Sequence, residues 1–149
     1  MMVKIALGSD HAGYLLKEVI KKHLIDLGME VEDFGTDSES PCDYPDFILP
    51  AAESVASGKN DVGIVFGGSG NGEAIAANKV KGIRCGLCWN VGSATLTKVH
   101  NNANMIAIGG RMVSNEMGIN IVNAWLSATF EGGRHQNRLN KLMKYENGI

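Results

Sequence analysis

Short, almost continuously apolar runs alternate along this chain with stretches of helical periodicity, and that alternation narrows the folds open to it. Val62 to Phe66 is the clearest run. A strand apolar at successive positions must be covered on both faces, as in parallel sheets flanked by helices. Further β-compatible runs lie at Val3 to Ser9, Glu30 to Phe34, Ile83 to Cys88 and Met105 to Ile108. Leu15, Leu16, Val19, Ile20, Leu24 and Leu27 mark one face of a helix from Tyr14 to Leu27, closed by Gly28. The same criteria predict helices at about Pro45 to Ser57, Gly72 to Lys79, Ser93 to His100, Glu116 to Ser127 and His135 to Glu146. The fold expected is α/β: a flavodoxin-like, Rossmann-like three-layer sandwich around a five-stranded parallel sheet of order 2-1-3-4-5, plus a C-terminal helix. A chain of 149 residues has room for one core, so residues 1–149 are read as a single domain.

Sixteen acidic and fourteen basic residues leave a net charge of -2. No broad positive field is available to hold nucleic acid or an anionic membrane, and a bound anion needs a local site. The first apolar run is shorter than the core of a signal peptide, and three cysteines fit no disulfide framework. A reducing, cytoplasmic setting is expected.

In a doubly wound sheet ligands bind beyond the carboxyl ends of the strands, where strand order reverses. The polar clusters fall there: Ser9-Asp10-His11 after the first strand, Gly67-Gly68-Ser69-Gly70-Asn71-Gly72-Glu73 after the third and Gly109-Gly110-Arg111 after the fifth. Four glycines in six positions aim several N–H groups at one point beside a helix N-terminus, which makes an anion cradle. A triphosphate loop would end in Gly-Lys-Ser or Gly-Lys-Thr, and a dinucleotide site would carry an acid about 20 residues further on. Asn71-Gly72-Glu73 lacks the lysine and Leu87 to Thr95 lacks the acid. Glu73 faces the same pocket as the N–H groups, which is the pairing of base and oxyanion donors that proton abstraction beside a carbonyl requires. The alternative is a carboxylate that only complements the helix dipole. Whether burial or the dipole governs its pKa is not decidable from sequence.

Arg134 and Arg138 lie four apart on one helical face and suit a phosphate, with Arg111 as a third contributor; a solvated basic face is the alternative. His100 ends a helix in His100-Asn101-Asn102-Ala103-Asn104, as a proton carrier or as a cap. Asp10 beside His11 is a site residue or a helix N-cap. Cys85 and Cys88 point to opposite faces of a strand, so they read as core thiols rather than as a metal or redox pair. Trp89 either narrows the pocket or packs in the core.

Together the motifs Gly8-Ser9-Asp10-His11-Ala12-Gly13, Asp43-Tyr44-Pro45, Gly68-Ser69-Gly70-Asn71-Gly72, Ile75-Ala76-Ala77-Asn78-Lys79, Gly82-Ile83-Arg84, His100-Asn101-Asn102-Ala103-Asn104 and Glu131-Gly132-Gly133-Arg134-His135 span nearly the whole chain. In these the chain resembles the ribose-5-phosphate isomerase B family, which includes galactose-6-phosphate isomerase subunits. The resemblance implies interconversion of ribose 5-phosphate and ribulose 5-phosphate in the pentose phosphate pathway, through a cis-enediolate and without metal or cofactor. Much of that family uses a cysteine just before the glycine turn as base; here that position is Gly67. The chain is similar to the branch in which a glutamate, here Glu73, takes the part. The resemblance further implies that Ser69 and the N–H groups of Gly70, Asn71 and Gly72 hold the oxyanion, with Gly68 and Asn101 among the substrate-binding residues. His100 would assist ring opening, Asp10 would orient hydroxyls, and His11, Arg111, Arg134 and Arg138 would bind phosphate. A homodimer sharing its sites across the interface, or a tetramer built from it, is expected. Rival readings are an isomerase of allose 6-phosphate, galactose 6-phosphate or a rare free sugar, and a non-catalytic phosphosugar-binding module.

Overall fold

The computed structural model describes residues 2–149. In chain order the elements are β1 (Lys4–Ser9), α1 (Tyr14–Asp26), β2 (Glu30–Asp33), α2 (Pro45–Ala56), β3 (Val62–Gly67), α3 (Asn71–Asn78), β4 (Cys85–Cys88), α4 (Val91–Val99), β5 (Met105–Gly109), α5 (Asn115–Ser127) and α6 (Arg134–Glu146). Helix α4 starts earlier than its apolar pattern indicated, because Asn90 accepts from the Ser93 N–H at 2.8 Å in a reciprocal capping box.

All pairings in the five-stranded sheet are parallel, and the strand order is β2-β1-β3-β5-β4. The α/β three-layer class stands, and the reversal falls between β1 and β3 as expected. The order 2-1-3-4-5 is corrected at one edge, where β5 lies inside β4. Burial gives the reason. Every residue of β5 is buried, whereas three of the four in β4 are half-exposed, so the better apolar strand takes the two-sided position and the short one forms the edge.

Alternate side chains of the strands feed two cores. Ile5, Leu7, Ile64, Phe66, Ile106 and Ile108 pack under α1 and α5 against Leu16, Ile20, Val122 and Trp125. Ala6, Val65, Met105 and Ala107 face α2 and α3 on the other side, against Ile48, Ala51, Ala52 and Ala77. Cys88 belongs to the first core and Cys85 lies against the second, so the two thiols are on opposite faces. Burial pushes Cys88 up to about 12 and raises Cys85 as well. Trp89 is exposed and packs in neither core. Among the described residues no helix is long and apolar enough to cross a membrane.

One buried ion pair sets the wall beside the carboxyl end of β1. Lys17 on α1 is fully buried, with Nζ 2.6 Å from Asp33 Oδ2 and 3.2 Å from Glu18 Oε2. Asp33 Oδ1 accepts from the Gly35 N–H at 2.9 Å, and Ser9 N–H donates to the Gly35 carbonyl at 2.6 Å. Burial opposes ionisation of Asp33, but hydrogen bonds from Lys17, the Gly35 N–H and Lys21 outweigh it and hold its carboxyl below the usual aspartate range. A carboxylate with a lowered folded pKa stabilises fully above its unfolded value, and that contribution is lost as pH falls through the folded one. Asp33→Ala leaves the Lys17 ammonium buried without its closest partner and is expected to cost on the order of 3 kcal/mol in urea unfolding at neutral pH. The deficit against the parent protein should shrink in acid below the aspartate range.

Candidate active site

The ends of β1, β3 and β5 are tied together by backbone. Asp10 N–H donates to the Phe66 carbonyl at 3.3 Å, Gly110 N–H to Gly67 at 2.7 Å and Arg111 N–H to Gly68 at 3.1 Å. Gly70 caps α3 with φ +86°, and a Cβ there would press on Leu87 Cδ1 at 2.7 Å and on the Gly109 N at 3.1 Å. Only glycine meets both demands. The Tyr44 ring lies against Gly72 at the start of α3, where an added Cβ would stand 2.8 Å from its Cζ.

Glu73, in the first turn of α3, is only 3% exposed. Its carboxylate folds back over the end of β3, into the space that a side chain at position 67 would take: a Cβ built on Gly67 overlaps Glu73 Oε1 and Cδ. Burial pushes the carboxyl above the ordinary glutamate value; a hydrogen bond from its own backbone N–H works the other way, and the charge of Asp10 adds to the rise. Desolvation therefore wins over the helix terminus. A buried carboxylate of raised basicity beside backbone N–H donors has the makings of a proton-transfer site.

Around it, Asp10 Oδ1 accepts from the Gly13 N–H at 3.0 Å and closes the β1–α1 turn, while the N-cap of α1 is Gly13. His11 Nδ1 accepts from the Cys42 N–H at 3.2 Å, which assigns the ring proton to Nε2. The Arg111 side chain runs past Gly68, where an added Cβ would lie 3.6 Å from its Cδ and 3.7 Å from Nη1. Ser69 and Asn71 are exposed, and Ser69 Oγ accepts from the Asn71 N–H at 3.2 Å, so this donor is engaged within the turn. The structure thus brings Asp10, His11, Gly68, Ser69, Gly70, Asn71, Gly72, Glu73 and Arg111 to one end of the sheet.

His100, Asn101, Arg134 and Arg138 are at the other end. Helix α4 runs back along the sheet, and His100, which caps its C-terminus, leads toward β5 at the amino edge, where the Asn104 carbonyl accepts from the Gly63 N–H at 3.0 Å. Arg84 fixes this loop by donating to the carbonyls of Asn101 at 2.9 Å and Asn102 at 3.0 Å. Helix α6 lies along the same edge, with the Gly82 N–H donating to the Glu146 carboxylate at 3.1 Å at its far end. Arg134 and Arg138 are exposed, and Arg134 Nη1 is 3.5 Å from Glu131 Oε1. The length of β5 separates the two groups by about 15 Å.

Cys42, Tyr44 and His135 were not singled out by sequence reasoning. Tyr44 and His135 sit inside quoted motifs, but their contacts depend on chain segments distant in sequence. Ser9, which opens the polar cluster after the first strand, has its Oγ buried without a hydrogen-bond partner.

Residues 5–142 match the model of the family described as Ribose/Galactose Isomerase. The chain is 46% identical over 145 residues to ribose-5-phosphate isomerase B of Escherichia coli, covering 97% of each. It superposes with a TM-score of 0.96 on the structure of ribose-5-phosphate isomerase B from Clostridium thermocellum, at 48% identity over 98% of this chain and 99% of that one. The enzyme of the same name from Mycoplasma genitalium, solved with bound ribulose 5-phosphate, gives a TM-score of 0.95 at 39% identity, covering 100% of this chain and 99% of that one. In sequence and in fold over nearly its whole length, the chain belongs to the ribose/galactose isomerase family.

Proposed function

We propose that the protein is an aldose-ketose isomerase that interconverts D-ribose 5-phosphate and D-ribulose 5-phosphate. The observation that carries this reading is the buried Glu73 carboxylate folded over Gly67 at the start of α3. The substrate class is supported by the ribulose 5-phosphate in the Mycoplasma genitalium relative. In this reading Glu73 removes the proton from C2 of the open-chain aldose, and the electron pair moves toward the carbonyl as a cis-enediolate forms. Ser69 and the backbone N–H groups of Gly70 and Gly72 donate to the oxygen on which charge develops, and the Asn71 N–H joins them if it leaves Ser69 Oγ. A proton passes from O2 to O1 of the enediolate, and Glu73 returns its own proton to C1, which gives the ketose. Asp10 orients the hydroxyls, and His11 and Arg111 take part of the phosphate. The whole chain, residues 1–149, works as one isomerase domain in the cytoplasm and needs no cofactor for these steps.

The separation of the two polar groups supports a shared site. One chain holds His100, Asn101, Arg134 and Arg138 at the amino edge of its sheet, away from its own Glu73. A second copy would supply them: His100 to open the sugar ring, Arg134 and Arg138 to complete the phosphate contacts. Mixing Glu73→Gln subunits with His100→Ala subunits would then rebuild one intact site per heterodimer. Recovered turnover in the mixture is the expected result, and none recovered after verified subunit exchange would show each site to be built from one chain.

A panel of ribose 5-phosphate, allose 6-phosphate, galactose 6-phosphate and free rare sugars tests the substrate, with ribose 5-phosphate expected to turn over best. Conversion of none would favour a binding module. Glu73→Gln should lower kcat by roughly 100- to 10,000-fold while sugar phosphate still binds. Gly67→Ala, which displaces the carboxylate, should lower it by about 100-fold. Near-normal rates in either would remove Glu73 as the base.

The base must be ionised, so the acid limb of the kcat profile should lie above the ordinary glutamate range. Asp10→Asn removes a neighbouring negative charge that raises Glu73, after burial itself, and should move that limb to lower pH. An unmoved limb would assign it to another group.

A further inference from the structure

Gly132 and Gly133 have φ values of +73° and +56°, a conformation that L side chains rarely adopt, and they turn the chain directly into α6. The turn sets His135 inward and leaves Arg134 and Arg138 exposed. The His135 ring lies on the His100 ring with centroids 4.4 Å apart and planes 17° from parallel. His135 is 5% exposed, and its Nε2 has no hydrogen-bond partner; Glu131 Oε2 stands 3.6 Å away. Burying an unpaired ring nitrogen carries a free-energy cost that an apolar side chain of similar size would not. The stack on His100 is what the imidazole provides in return.

Glu131, His100 and His135 also place possible ligand atoms within 4.8 Å of one another. A ring nitrogen coordinates a metal along its lone pair, in the ring plane. Planes this close to parallel send their lone pairs side by side rather than toward one ion, so the geometry favours contact between rings over a shared cation.

We propose that His135 is a positioning residue for His100: its ring is the fixed plate that holds the His100 imidazole in the orientation from which it moves protons during opening of the sugar ring. This rests on the reading of His100 as the ring-opening group. Burial, then the positive charges of Arg134 and His100, disfavour a proton on His135; Glu131 favours one, and Arg138 disfavours it. These surroundings disfavour charge on the plate itself.

Ring opening can be separated from the Glu73 step. Ribulose 5-phosphate has its C5 oxygen esterified and cannot close to a furanose, so deuterium wash-in at its C1 in heavy water reports enediolate formation alone. Turnover of ribose 5-phosphate requires ring opening as well. His135→Leu is expected to lower ribose 5-phosphate turnover about tenfold and to leave wash-in within about twofold. His135→Phe, which keeps a flat ring, should stay near the parent protein in both. Retained wash-in also reports an intact fold in each variant. Unchanged turnover in His135→Leu overturns the proposal, as does a parallel fall in both assays or a His135→Phe variant as slow as His135→Leu. His100→Ala separates the two claims. If it lowers turnover but spares wash-in while His135→Leu alters neither, only the positioning role fails; if it spares both, the ring-opening reading fails and the proposal with it.

Discussion

The space at the end of β3 has room for one functional group, and Gly67 leaves it to the carboxylate of Glu73. The rest of the carboxyl edge closes around that carboxylate. The loop after β5 comes close enough for the N–H groups of Gly110 and Arg111 to bond the carbonyls of Gly67 and Gly68, an approach that Gly109 allows, since a Cβ there would stand 2.5 Å from the Ser69 carbonyl oxygen. The same approach carries the Arg111 side chain past Gly68. Further out, the Lys17–Asp33 pair holds Gly35 against Ser9, so the wall next to the turn is anchored to α1 through charge rather than through apolar packing.

Much of this was legible in the sequence because it is local. The strand–turn–helix pattern, the ends of α1 and α6 and the grouping of polar residues after β1, β3 and β5 follow from periodicity, glycine positions and the rule for strand ends. What escaped depends on partners far along the chain. The exchange of β4 and β5 is a matter of which strands pair, and both runs read alike as short apolar segments. The burial of Lys17 rests on Asp33, sixteen positions later, which accepts from its ammonium. The pKa direction of Glu73 needed its burial, which rests on the missing Cβ at Gly67.

Helix α6 ties the amino edge together. One end rests on His100 through His135, the other meets Gly82 through Glu146, and Leu139 is buried between them. The helix presents its two exposed arginines from a base fixed at both ends, so their spacing is set by the fold before any anion arrives.

If Glu73 is the base, as proposed, the proton-transferring group is a carboxylate where much of the family has a thiol, and peroxides do not oxidise it. A cysteine base works through its reactive sulfur, and the same sulfur climbs to sulfenic and sulfinic acid under oxidants. A carboxylate does not climb that ladder, and burial raises Cys85 and Cys88, two of the three cysteines, which keeps them as thiols. In that reading the glycine at the end of β3 takes the reactive sulfur out of the proton-transfer step, and leaves Cys42, half-buried beside His11, as the thiol nearest the site.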